Sequence, residues 1–109
     1  MGDFIVMEKH IILEKINYSI FFEYIKYNNT EDIIMVHCDV VHWNKKIKKE
    51  LMRDSYVLFS KQSKPIVALH TKNDLKHLKF ITLMGFMPLI DEVTIMNGSK
   101  SMMYIWRNV

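Results

Sequence analysis

His37 and Asp39 are the residues whose types and spacing first suggest chemistry. They stand two apart in Ile33-Ile34-Met35-Val36-His37-Cys38-Asp39-Val40, a β-rich run that reads as a strand. Two apart on a strand means one face, with backbones about 6–7 Å apart. An imidazole titrates near neutral pH, so His37, or Asp39 beside it, could take a proton from an attacking amine. The plainer reading is a histidine at a strand end, packed and hydrogen-bonded. Cys38 points to the opposite face, which excludes a Cys–His dyad with His37 and leaves a small buried thiol. The other histidines, His10, His42, His70 and His77, have no tight ligand spacing, and with one cysteine no metal site is expected. Lysines gather at Lys45, Lys46, Lys48 and Lys49, and again at Lys72, Lys76 and Lys79. They read first as solvated faces, and second as side chains for the phosphates of a cofactor or a nucleic acid. A nucleic-acid surface needs aromatics among its lysines, and Trp43 and Tyr56 belong to a helix that also needs a core, so nucleic acid is the least favoured partner.

The elements that must hold these groups are clearest in Pro65–Phe86. Residues 66–70 form a short apolar strand. Asn73 and Asp74 suit a helix N-cap, residues 74–84 carry helical apolar spacing, and Gly85 supplies the exit before a new strand at Phe86. Upstream, Phe4 to Leu13 reads as a strand or short hairpin. Ile16 to Tyr27 reads as a helix, with Ile16, Ile20, Tyr24 and Tyr27 on one face and Phe21, Phe22 and Ile25 widening it. Asn28 to Asp32 is a polar turn. A long helix spans about Val41 to Gln62, with Trp43, Ile47, Leu51 and Leu58 or Phe59 as its buried stripe. Phe86 to Ile95 and Ser101 to Trp106 read as two strands around an Asn97-Gly98 hairpin turn. The order β, α, β, α, β, α, β, β implies an α/β fold: a mixed central sheet with flanking helices.

The chain has 109 residues, half of them hydrophobic, and a net charge of +3. That is one domain, residues 1–109, with one core and no strong bias towards an acidic partner. The single cysteine, the lack of a signal-peptide pattern and the absence of an apolar run near membrane-spanning length predict a cytoplasmic protein with no membrane contact. Three glycines, none clustered, exclude a P-loop and a Rossmann fingerprint. Nine methionines, five of them between Met84 and Met103, suit either a well-packed core or an adaptable surface. The apolar run Ser101–Trp106, taken as a sheet edge, would need cover, and a homodimer through that edge is one way to supply it.

From Asp32 to Arg107 the order of elements resembles the C-terminal half of the GNAT superfamily of N-acetyltransferases. Asn73-Asp74, Phe80 and Gly85-Phe86 look like that family's signature of an Asn, a short helix with an aromatic, and a Gly-Phe exit. Val40-Val41-His42-Trp43 with its lysines, and His77-Leu78-Lys79-Phe80, are similar to stretches of the small GNAT-like internal virion proteins of short-tailed phages. The resemblance implies acetyl-CoA as cofactor and an amine as acceptor. Strand backbone at Val36 and Cys38 would hold the pantetheine arm, Lys45 and Lys46 the phosphates, and Asn73 and Phe80 the border of the cofactor cleft. His37 or Asp39 would be the base.

Two positions depart from that pattern. The family's glycine-containing pyrophosphate loop corresponds to residues 39–45, which contain no glycine. The family's tyrosine acid falls on Ile81, which cannot donate a proton. Three readings follow: an acetyl-CoA-dependent N-acetyltransferase with a degenerate pyrophosphate loop; a catalytically inactive GNAT-fold phage-type structural or accessory protein acting through protein contacts; and, last, a nucleic-acid module.

Overall fold

The computed structural model describes residues 4–28, 30–70, 74–94 and 100–106. Its elements run β1 (Phe4–Glu14), β2 (Tyr18–Tyr27), β3 (Glu31–Val40), α1 (Lys45–Ser60), β4 (Ile66–His70), α2 (Leu75–Leu83), β5 (Phe86–Thr94) and β6 (Lys100–Trp106). The expected helix over residues 16–27 is instead strand β2, paired antiparallel with both β1 and β3. Tyr18, Ile20 and Phe22 alternate with less buried neighbours, the period of a strand. Ile16, assigned to the helical face, is 89% exposed just before β2 begins. The segment is apolar on every side, so helical and strand periods both fit it. Its content of Ile, Phe and Tyr favours the pleated form.

The six strands form one mixed sheet in the order β1-β2-β3-β4-β6-β5. With two helices this is an α+β arrangement. The helices do not flank the sheet on both sides. Ile47, Leu51 and Phe59 of α1 and Ile81 of α2 share one buried cluster with Tyr18, Ile20, Phe22, Ile34, Ile66, Ala68, Phe86 and Tyr104. The opposite face carries a smaller strand-only cluster: Ile25, Ile33, Met35, Val67, Val93 and Met103.

Helix α1 starts later than its periodicity suggests. The Val41 and His42 N–H groups donate to the Asn17 carbonyl, which ties this stretch to the β1–β2 turn. Asn44 then caps the helix, its side-chain oxygen accepting from the Ile47 N–H at 2.8 Å. Trp43 therefore lies outside the helix, half-exposed against Phe80 at a ring separation of 5.8 Å, and not in the buried stripe. Asp74 caps α2 in the same way through the His77 N–H. Asn73, its expected companion, lies outside the described residues, as does the Asn97-Gly98 turn.

Strand β6 sits between β4 and β5, so Ser101–Trp106 is not an edge. The exposed edges are β1 and β5, and Pro88 in β5 suits an edge because it has no N–H to offer a ladder. Gly85 makes the exit from α2 with φ +100°, and a Cβ there would lie 3.2 Å from Trp106 Nε1. Gly85→Ala is expected to cost about 1–2 kcal/mol of stability from backbone strain, read as a lower denaturant midpoint. A midpoint equal to the parent's would mean that the exit tolerates a side chain.

Candidate functional site

Among the described residues, β3 and β4 are the only parallel neighbours in the sheet, and their ladder is short. Ile34 pairs with Ile66 and Met35 with Val67, and there the register ends. Both strands continue, β3 to Val40 and β4 to His70, without pairing further. A cavity of about 200 Å³ occupies the resulting gap. Its strand walls are Val36, His37, Cys38 and Asp39 on one side and Ala68 and Leu69 on the other, and α2 closes it with His77, Phe80 and Ile81. The Ile34 N–H donates across to the Pro65 carbonyl. By strand alternation, the backbone groups of Val36 and Cys38 point the same way, towards the gap.

Of the residues singled out from sequence, His37, Asp39, Val36, Cys38 and Phe80 meet at this cavity. His37 is bonded through Nε2 to the Glu23 carboxylate on β2. That engages the nitrogen a base would use; the ring is hydrogen-bonded, as the plainer reading has it, but exposed and not packed. Burial pushes the Cys38 thiol up to about 12, with Asp39 adding to it, so the thiol is protonated and a poor nucleophile near neutral pH. Lys45 and Lys46 are exposed at the start of α1 and line neither this cavity nor its neighbour.

The neighbouring recess, about 600 Å³, is lined by Val40, Trp43, Lys48, Lys76, Lys79, Phe80 and Leu83. Phe80 borders both spaces. An aromatic and aliphatic floor ringed by three lysines suits a flat ring carrying phosphates. The N-terminus of α1 contributes less than its position suggests, because Asn44 already occupies the Ile47 N–H.

Sequence reasoning missed a histidine pair. His70, 3% exposed at the end of β4, and His77, in the first turn of α2, lie with their ring centroids 5.4 Å apart and their Nδ1 atoms 3.1 Å apart. Tyr104 packs edge-on against His70 at 5.8 Å. Burial, reinforced by His70, pushes His77 below the usual histidine range against an opposing pull from Asp74. A spacing of seven in sequence has no meaning on a single strand or helix. The available signal was the closeness of β4 and α2 in sequence, His70 ending one and Leu75 opening the other. Among the described residues no group of three or more His, Cys, Asp or Glu side chains is arranged to hold a metal, and no helix is long and apolar enough to cross a membrane. No family model, curated protein or solved structure matches the chain.

Proposed function

We propose that the chain is a small N-acyltransferase of the GNAT type that uses acetyl-CoA. The observation that carries this reading is the parallel β3/β4 pair that parts after two rungs around a cavity bordered by main chain. A thioester arm is narrow and amide-bearing, and such a slot offers it strand-like hydrogen bonds. Along the chain, β3, α1, β4, α2, β5 and β6 follow one another in the sequence of elements the resemblance implies. The lysine-ringed recess beside Trp43 and Phe80 gives the nucleotide end a place without a glycine loop. Phosphate binding then falls to Lys48, Lys76 and Lys79 instead of to helix N–H groups, and the Lys45 and Lys46 side chains stay peripheral.

Titration with acetyl-CoA tests this. Saturable heat and a thermal upshift are expected at millimolar ligand, both weakened by added salt and by Lys48→Glu or Lys79→Glu. No heat and no shift at that concentration would end the acyltransferase reading.

A second reading, a catalytically inactive GNAT-fold protein acting through protein contacts, draws on the helix-free face of the sheet. Val6, Ile11 and Met87, paired with the helix-free-face residues Ile25, Phe21 and Ile105, are each more than 40% exposed. Self-association through an edge would use β1 or β5, since β6 is interior.

A further inference from the structure

We propose that His77 is the proton-transfer residue of the β3/β4 cleft, with the buried His70 as a positioning residue that accepts the His77 Nδ1–H and leaves His77 Nε2 unprotonated towards the cavity. The catalytic half of this assignment rests on the acyltransferase reading; the tautomer does not. Two nitrogens 3.1 Å apart in uncharged imidazoles require one ring to donate and the other to accept. The near-parallel rings, 19° between planes, fix His77 against a partner that is itself held by burial and by Tyr104. With Nδ1 so engaged, Nε2 is the ring nitrogen left for the cavity that His77 lines.

The alternatives in the cleft are weaker. His37 spends its Nε2 on Glu23, the Cys38 thiol is protonated near neutral pH, and Ile81 has no proton to give. His77 stands one helical turn before Ile81 and borders the same space. The groups that bear on its charge are His70 from β4, Asp74 from its own helix, and His37, Cys38 and Asp39 from β3 across the cavity.

The step balances with one residue. The amine nitrogen bonds to the thioester carbonyl carbon while its proton passes to His77 Nε2. The carbon–sulfur bond then breaks, its electron pair leaves with sulfur, and the proton on Nε2 passes to the thiolate. The products are the amide and the free thiol, with His77 back in its starting form.

¹⁵N NMR of the imidazoles in the full chain reads the tautomer directly. At pH 7 His77 Nε2 is expected at the shift of an unprotonated nitrogen, with titration below the ordinary value of 6.5. His70→Phe should release that tautomer, moving both His77 ring nitrogens towards tautomer-averaged shifts. A protonated Nε2 at pH 7, or His77 nitrogen shifts indifferent to His70→Phe, would overturn the dyad. Turnover of acetyl-CoA with a lysine peptide reads the role: His77→Gln is expected to lower kcat about 10²-fold with KM little changed, and to abolish the acidic limb of the pH profile. If the parent turns over and His77→Gln keeps both its rate and that limb, the proton-transfer role is wrong while the acyltransferase reading stands. If acetyl-CoA does not bind the parent, the acyltransferase reading falls with the catalytic role, and the NMR alone decides the dyad.

Discussion

Phe59→Ala is expected to destabilise the fold by about 3–5 kcal/mol, the range for deleting a buried aromatic ring. Phe59 is 1% exposed on α1 and contacts three other rings, with centroids 6.1 Å from Phe22, 5.9 Å from Phe86 and 5.5 Å from Trp106. Those partners come from β2, β5 and β6, so the ring joins both halves of the sheet to the same helix. Alanine would leave a cavity walled by aromatics that cannot collapse without moving three strands. A domain of this size has about 5–15 kcal/mol to lose, so the variant should be only marginally folded at 25 °C. Chemical denaturation gives the number, and Phe59→Leu should lose markedly less because it keeps most of the volume. A loss below about 1 kcal/mol for Phe59→Ala would mean that this aromatic junction is not a rigid part of the core.

Asp54→Ala is the second large effect, about 2–3 kcal/mol from loss of a charge-assisted bond and of the nearer acceptor of a buried hydroxyl. The Asp54 carboxylate on α1 accepts from Tyr18 Oη and from Lys15 Nζ, the latter at 2.7 Å. Tyr18 is 1% exposed, so its hydroxyl has few other options; Glu50 at 3.3 Å is the remaining one. Burial works against the Asp54 carboxylate, but the bonds from Lys15 and Tyr18 outweigh it and hold its pKa below the ordinary range. The Lys15 bond does the same for Glu50. A carboxyl whose folded pKa is lowered stabilises the fold fully above its unfolded pKa near 4 and loses that contribution as pH falls through the folded value. Stability should therefore fall with acidification below about pH 4, and Asp54→Ala should flatten that slope while lowering the plateau. A plateau lowered with an unchanged acid slope would show that Asp54 acts through packing and not through its charge.

Much of the α/β part was legible because its residues punctuate it. Pro65, Asp74 and Gly85 each mark a boundary that the backbone observes, and β4 runs over residues 66–70 as its composition suggests. The alternation in β3 put His37 and Cys38 on opposite faces, and the structure keeps them there. The N-terminal third was not legible in the same way. Residues 16–27 contain apolar side chains at both periods, and what selects the strand is pairing with β1 and β3, a long-range term invisible in a local window. The same limit hid the interior position of β6, since nothing in Ser101–Trp106 records that β5 will lie outside it. At the site, strand-end residues could be named but not their partners. Glu23 beside His37 and His70 beside His77 are meetings made by the sheet.

The two-rung junction between β3 and β4 has a mechanical meaning. On one side of it lie β1, β2 and β3, and on the other β4, β6 and β5, so no other ladder crosses from one plate of the sheet to the other. The seam is the weakest ladder of the sheet, with α1 and α2 spanning it on one face only. The gap between Val36–Asp39 and Ala68–Leu69 lies along that seam, so the size of the cavity is set by the angle between the two plates. Any molecule that bonds to both lips acts as a staple across the seam, and its binding would stiffen the whole sheet and not just the residues it touches.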